Sequence, residues 1–217
     1  MTYYTAMSAR FGPCRWWPAE TPFEVALGAV LTQNTSWANA EKALDRLRAR
    51  KALTPAALLR LPRRDLEEAL RPSGYYRLKA ARLANLLALF ASFPAWDPED
   101  ASLACAGPLP TEDLRALLLA VTGIGPETAD AVLLYAFSRP SFVVDAYTRR
   151  IFHRHGHVPE KASYALLRDF FMDVLPHDVP LFNEYHALIV RTGHAFCKKG
   201  APLCGPCPLG NFRERAA

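Results

Sequence analysis

Residues 114–145 read LRALLLAVTGIGPETADAVLLYAFSRPSFVVD, and this stretch decides the fold. Its first part repeats apolar residues with the spacing i, i+3, i+4, i+7 that an amphipathic helix requires: Leu114, Leu117, Leu118 and Val121. Thr111 suits the N-cap of this helix, because a threonine hydroxyl can accept a hydrogen bond from the first turn. The pattern predicts a helix that begins after Thr111 and packs through one apolar stripe.

A tight turn follows this helix at Gly123, Ile124 and Gly125. Glycine adopts positive φ values at little cost and lets the backbone approach a partner closely. Pro126 suits the first position of a second helix, whose predicted apolar stripe is Ala129, Val132, Leu133, Ala136 and Phe137. Such a helix start offers unpaired N–H groups and the positive end of a dipole, which together suit a phosphate. The alternative is an ordinary turn between packed helices, which is what an isolated Gly-x-Gly more often marks.

The rest of the chain also predicts helices, punctuated by 18 prolines. Residues 21–24, Thr-Pro-Phe-Glu, form a capping box with proline at the first helical position. Residues 39–51 are predicted to form a helix with a basic exposed face. Shorter helices are predicted to begin at Thr54 and Pro62. Residues 94–110 are predicted to form a loop or partly helical connection between helices. Because no stretch alternates as a strand does, we expect an all-α fold.

Composition excludes several classes of protein. Of 217 residues, 51% are hydrophobic and 22% charged, as in soluble globular proteins rather than disordered ones. No apolar run approaches the roughly 18 residues that span a bilayer, and the N-terminus lacks a signal-peptide pattern. We therefore expect a cytoplasmic protein that does not bind a membrane. The net charge of +5 favours a polyanionic partner without establishing one.

The stretch LLAVTGIGPETADAV, followed by VVD at residues 143–145, resembles the helix–hairpin–helix and Gly/Pro…Asp signature of the endonuclease III superfamily of DNA glycosylases. The resemblance implies that the partner is damaged double-stranded DNA. It assigns backbone binding to the hairpin residues Gly123, Ile124, Gly125 and Thr128. It also implies that Asp145 stabilises the cationic sugar formed as the base leaves, and makes Asp145 a candidate for activating the nucleophile.

Glu127 departs from the pattern of bifunctional members, which carry a lysine two residues after the second hairpin glycine. That lysine forms a Schiff base with the sugar and cleaves the strand, whereas a glutamate has no amine to do so. We therefore expect a monofunctional glycosylase with water as the nucleophile. Glu127 is a second catalytic candidate, as a proton donor or a water-positioning group, or an exposed acid at a helix start. Two alternatives stay open: a noncatalytic DNA-binding relative, and a bifunctional glycosylase and abasic-site lyase of the endonuclease III type.

Gln33 follows the first capped helix within the sequence LTQNT. A glutamine amide both donates and accepts hydrogen bonds, so it can replace an extruded base and bond to the orphaned strand. The family resemblance implies this role for Gln33, while the alternative from the residues alone is a polar cluster that caps helix carbonyls. The sequences WWP at 16–18, LTQNT at 31–35 and RPSGYY at 71–76 further resemble the endonuclease III-related branch that includes 3-methyladenine DNA glycosylases. An alkylated purine is accordingly a candidate substrate.

Three cysteines cluster near the C-terminus: Cys197, Cys204 and Cys207. In a cytosolic chain, clustered thiols indicate a metal before a disulfide, and thiolates suit zinc or iron–sulfur. The spacing resembles the first three ligands of the family's 4Fe–4S cluster motif, in which a fourth cysteine follows. Arg213 stands at that fourth place, and a charged arginine has no lone pair for a metal.

Three interpretations of the cysteine cluster stay open. The first is an iron–sulfur cluster completed by an outside residue such as Cys14 or His194. The second is a zinc site with three cysteines and one histidine, and the third is a cysteine knuckle without metal. A cluster would have a structural role, fixing a basic loop against DNA phosphates.

The resemblance also implies two helical domains with a cleft between them. Residues 22–139 would form a six-helix domain with the hairpin, and residues 1–21 plus 140–217 a second helical domain that carries Asp145 and the cysteine cluster. A protein that wraps a bent duplex is expected to act as a monomer.

Overall fold

The structure is a computed structural model that describes residues 1–14 and 16–212. It contains helices and no strands within that part of the chain, which confirms the all-α expectation. The helices are α1 Thr2–Phe11, α2 Pro22–Leu31, α3 Trp37–Ala49, α4 Pro55–Arg60, α5 Arg63–Leu70, α6 Tyr76–Ala91, α7 Thr111–Ala120, α8 Pro126–Ala131, α9 Ala146–Arg154, α10 Tyr164–Met172 and α11 Val179–Ala195. A π-helical turn, Val132–Ala136, continues α8, and short 3-10 turns lie at Arg71–Ser73, Ala104–Ala106 and Gly210–Phe212.

The chain divides into two compact units. One comprises Trp17–Arg139, and the other comprises Met1–Trp16 together with Pro140–Ala217. Each unit has its own apolar core.

Helix α2 is the central helix of the Trp17–Arg139 unit, and all its residues from Phe23 to Leu31 are buried. It packs against α3, α6, α8 and the π-helical turn. Lys79 of α6 is also fully buried there, and its ammonium donates to the carbonyls of Leu31 (2.8 Å) and Ser73 (2.6 Å). Burial and, to a smaller extent, the nearby charge of Arg82 lower the pKa of Lys79 to about 8. The end of α2 is thus fixed by a buried amine.

Local capping explains why several helices begin where they do. The Thr21 hydroxyl accepts from the Glu24 amide at 3.2 Å, as the capping box predicts. The Glu24 carboxylate accepts from the amide of Glu20 rather than that of Thr21, and it pairs with Arg48. Thr54 caps α4 through the Ala57 amide. The predicted start signals at Thr21 and Thr54 are therefore confirmed.

Three details of the predicted hairpin were wrong. Helix α7 begins at Thr111 itself with Pro110 as the N-cap, and the Thr111 side chain makes no capping bond. Leu117 is 37% exposed, so the buried face of α7 rests on Leu114 and Leu118. Gly125 has φ −91° and ψ 175°, which any residue can adopt, so positive φ is confined to the other hairpin glycine, Gly123.

Aromatic packing dominates the core of the second unit. Phe142 stacks on Phe171 of α10 with ring centroids 3.9 Å apart, and Phe182 of α11 meets Phe142 edge-on. Helix α11 packs against α9 and α1. A side chain at Gly193 of α11 would place its Cβ 2.4 Å from the Tyr147 ring, so α9 and α11 can approach closely only with glycine there.

No helix in residues 1–14 and 16–212 combines the length and apolar character that crossing a membrane requires.

Candidate functional site

The hairpin between α7 and α8 is shaped by one glycine and one buried isoleucine. Gly123 has φ +95°, and Ile124 is 5% exposed, with its amide bonded to the carbonyl of Val121 at 3.0 Å. The isoleucine anchors the turn in the core, and Gly125 then begins α8 in an extended conformation. The first N–H groups of α8 have no intrahelical acceptors, as at any helix start.

Arg82 of α6 packs directly on this hairpin. A Cβ built on Gly123 would lie 2.5 Å from Cγ of Arg82 and 2.9 Å from its Nε. Asn85, one turn further along α6, donates to the carbonyl of Thr122 at 3.0 Å. The hairpin is therefore held from the side by two α6 side chains, and glycine at 123 leaves room for one of them.

Gln33 is bonded to the hairpin. Its Nε2 donates to the carbonyl of Gly123 at 3.1 Å and to Oγ1 of Thr128 at 2.8 Å, while Oε1 accepts from Nη1 of Arg82. Thr128 is buried. The structure thus brings together three of the predicted DNA-binding residues, Gln33, Gly123 and Thr128, and places Thr128 where its hydroxyl bonds within the protein.

Arg82 was missed by the sequence analysis. It is one of many arginines on predicted helices, and no local pattern separates one that contacts Gln33, 49 positions away, from one that faces solvent.

Glu127 lies exposed in the first turn of α8, where its charge is favourable to the helix dipole. Three residues on, Asp130 is fully buried and forms a two-point ion pair with Arg115 of α7, with N–O distances of 2.7 and 3.0 Å. This pair ties the two helices of the hairpin together.

Asp145 is the N-cap of α9. Its Oδ1 accepts from the Thr148 amide at 2.7 Å and from the Thr148 hydroxyl at 2.8 Å. Its Oδ2 lies 3.9 Å from Nε2 of His186, and 13% of the side chain is exposed. The start of a helix is favourable to a carboxylate, and the two bonds from Thr148 fix one oxygen there.

His186 of α11 is the second residue that the sequence analysis missed. It is buried among apolar residues of α11, and that burial lowers its pKa, while the charge of Asp145 opposes the shift. The indole of Trp16 meets it edge-on with centroids 6.4 Å apart. A neutral histidine therefore adds no positive charge beside Asp145.

Aromatic side chains cluster in the first unit around Trp17. Its ring stacks on Tyr135 at 4.8 Å and meets Trp37 edge-on at 5.2 Å. Trp17 has φ +67°, and a Cβ at Gly28 would lie 3.1 Å from its ring. The strained backbone of Trp17 and the absence of a side chain at Gly28 together allow the indole to take this position.

The three C-terminal cysteines line one cavity of about 20 Å³ in the second unit, together with Arg154, His155 and Thr192 among others. Burial raises the pKa of Cys207, and the nearby Cys197 and Cys204 raise it further. The Thr192 hydroxyl is buried and has no hydrogen-bond partner within the described residues. Arg154 donates to Sγ of Cys197 at 3.3 Å and to the carbonyls of Lys198 and Lys199.

The donors in this cavity fit a soft metal by type, because three thiols face one space beside an unpaired hydroxyl. Among residues 1–14 and 16–212, however, no three histidine, cysteine or acidic side chains are already arranged to hold a metal ion. Cys14 and His194, the predicted outside ligands, are not among the residues that line the cavity. Arg213, at the place of the family's fourth cysteine, lies outside the described residues.

Comparison with known proteins identifies a family and similar folds. The model of a family described as HhH-GPD superfamily base excision DNA repair protein matches residues 27–177. A protein of Methanocaldococcus jannaschii named as a DNA repair glycosylase is 44% identical over 209 residues, 96% of this chain and 93% of that protein.

Solved structures share the fold over nearly the whole chain. A non-covalent endonuclease III–DNA complex superposes with a TM-score of 0.78 at 25% identity, covering 97% of this chain and 92% of that one. The H. pylori 3-methyladenine DNA glycosylase bound to 1,N6-ethenoadenine gives a TM-score of 0.73 at 27% identity, covering 89% and 97%.

Proposed function

The chain belongs to the HhH-GPD superfamily of base excision DNA repair proteins, and from that premise we propose that it is a monofunctional DNA glycosylase. It hydrolyses the bond between a damaged base and its deoxyribose in duplex DNA and leaves an abasic site. The observation that carries this proposal is Asp145, an anion held at the start of α9 with one carboxylate oxygen fixed by Thr148.

DNA binding is assigned to the hairpin of the first unit. Gly123, Ile124 and Gly125 give a tight turn whose backbone a phosphate can approach closely. The fold is shared with an endonuclease III that was solved on DNA. Gln33 is placed beside this turn, and it fills the gap left when the damaged nucleotide rotates out of the duplex. The protein acts as a monomer on this duplex.

The chemistry is electrostatic. As the bond from the sugar carbon to the base nitrogen breaks, the pair of bonding electrons leaves with the base and the sugar becomes cationic. A fixed carboxylate stabilises that charge without reorganising, and the neutral His186 leaves its full charge available. Water then bonds to the sugar carbon and gives up a proton, so the abasic sugar is neutral. The proton goes to the base if the base left as an anion, or to solvent if a cationic base left neutral.

Strand cleavage is not part of the proposed reaction. Glu127 stands where a lyase needs an amine. Lys79 has the lowered pKa of a nucleophilic lysine, yet its ammonium is fully buried and bonded to two carbonyls. Borohydride should therefore fail to trap the enzyme on damaged DNA, and a trapped lysine adduct would establish the bifunctional alternative.

We further propose an alkylated purine as the substrate. Purines alkylated at a ring nitrogen such as N3 carry positive charge in DNA, and a cation is attracted to the face of an indole or phenol ring. The cluster of Trp17, Tyr135 and Trp37 provides these rings, and a similar fold binds an etheno-modified adenine. The test is base release from duplexes containing 3-methyladenine, 1,N6-ethenoadenine, thymine glycol or an adenine mispair. Release from none of them would contradict the glycosylase assignment.

The cysteine cavity is proposed to hold a 4Fe–4S cluster through Cys197, Cys204 and Cys207. When bound, the cluster would cross-link the C-terminal loop, and no step of base removal passes through it. Iron analysis and an absorption band near about 400 nm check this. A colourless preparation containing zinc would establish the alternative three-cysteine zinc site.

A further inference from the structure

Arg82 occupies the point where Gln33 and the hairpin meet. One guanidinium nitrogen donates to Oε1 of Gln33, and the stem of the side chain packs against Gly123 so closely that a Cβ there would lie 2.5 Å from Cγ. The Nε of Arg82 is buried and has no hydrogen-bond partner within residues 1–14 and 16–212. Because this nitrogen is buried, a ligand can reach Arg82 only at the other end of the guanidinium, at Nη1 and Nη2.

The amide of Gln33 is fully engaged inside the protein. Both functions of its amide group are in use, with Nε2 donating to Gly123 and Thr128 and Oε1 accepting from Arg82. A side chain held in this position can enter the duplex only after these bonds break. The bond from Arg82 is the charge-assisted one, and such bonds are about twice as strong as neutral ones.

A DNA phosphate is a better acceptor for Arg82 than the neutral oxygen of Gln33. A phosphate carries full negative charge and accepts two parallel bonds from a guanidinium, and the Nη1–Nη2 edge of Arg82 can supply both once Nη1 leaves Oε1 of Gln33. The hairpin brings such a phosphate to Gly123, which contacts Arg82. Binding of the phosphate would thus compete directly with the Arg82–Gln33 bond.

We propose that Arg82 exchanges Oε1 of Gln33 for a DNA phosphate oxygen, so that phosphate binding at the hairpin removes the strongest bond that holds the Gln33 amide and thereby favours entry of Gln33 into the duplex. Arg82 is then a positioning residue that delays the entry of Gln33 until the backbone is bound. This inference rests on the proposed function, because it requires that the hairpin binds duplex DNA.

The salt dependence of DNA affinity distinguishes an Arg82 that contacts a phosphate from an Arg82 that only supports Gln33 within the protein. Each phosphate contact contributes about −0.9 to the slope of log affinity against log salt. The slope for Arg82→Met should therefore be less steep by about 0.9, and Arg82→Lys, which keeps the charge, should restore it. The matched control is Arg77→Met on the same helix, since Arg77 is 78% exposed and lies near Glu67. An unchanged slope for Arg82→Met, or an equal change for Arg77→Met, would overturn the proposal.

Fluorescence of 2-aminopurine placed opposite an abasic analogue reports whether Gln33 reaches the gap, with Gln33→Ala defining the signal. At saturating protein, Arg82→Met should give the wild-type amplitude, because release of Gln33 no longer needs a phosphate. A lost amplitude would show that Arg82 only braces Gln33, and would overturn the exchange. Base release by the wild type is measured separately, so its absence would contradict the glycosylase assignment without deciding the exchange.

Discussion

Gln33 and Asp145 illustrate opposite ways of holding a functional side chain. Gln33 has both its donor and its acceptor functions committed to neighbours in the protein, so it can act on a ligand only by exchanging partners. Asp145 has one oxygen fixed by Thr148 and the other 3.9 Å from a histidine that burial keeps neutral, so its charge needs no rearrangement. Gln33 must therefore break bonds within the protein before it can act, whereas Asp145 can act without rearrangement.

Substitution of Asp145 tests this comparison most directly. Asparagine is an equally good N-cap, so Asp145→Asn should fold normally while losing the negative charge. We expect single-turnover base release to fall by about 10²–10³-fold, the size of losing one fixed electrostatic contact in an active site. Duplex affinity should stay near the wild-type value. Base release unaffected by this change would remove Asp145 from the mechanism.

Gly123→Ala tests the packing of Arg82 against the hairpin. The added Cβ meets Arg82 at 2.5 Å in a backbone with φ +95°, and strain and overpacking each cost about 1–3 kcal/mol. Chemical denaturation should show that loss, with weaker DNA binding. Gly125→Ala is the matched control, because its φ is negative and nothing lies within 4 Å of the new atom. Equal losses in both variants would contradict the assigned packing.

Lys79→Met should destabilise the first unit by about 2 kcal/mol, since two buried carbonyls lose their donor. It should also change the pH dependence. Between the folded pKa of about 8 and the unfolded value near ~10.4, the unfolded chain binds the proton that the folded chain has lost. Wild-type stability should therefore gain about 1 kcal/mol per pH unit there, and the variant should lack this gain in denaturation at pH 8 to 10.

Substitution of His186 should give the smallest effect, a change in how stability falls on acidification. Burial lowers its pKa below the ordinary value, so below about pH 6.5 the unfolded chain takes up a proton that the folded chain refuses, and stability falls. His186→Phe should flatten this fall in thermal melts from pH 7 to 5. His194→Phe, at an exposed position, should leave it in place. A fall of equal steepness in His186→Phe would contradict a neutral His186.

Much of the fold could be predicted because its signals are local. The capping threonines at 21 and 54, the start of α8 at Pro126 and the buried face of α3 depend on neighbours within one or two turns. One error had a local cause and the other a tertiary one. At Thr111 a preceding proline took the N-cap position, and the exposure of Leu117 depends on which neighbours cover α7.

The sequence by itself determined that the chain is all-helical, and its hairpin and Asp145 pointed to the family, because turn glycines, caps and motif spacing act over short stretches. Only the tertiary structure decided which polar side chains meet. Arg82 reaches Gln33 across 49 positions and Lys79 reaches Leu31 across 48, while His186 faces Asp145 from another helix. The physical reason is that helical periodicity fixes which residues share a face, whereas packing decides what that face contacts and how far its charges are desolvated.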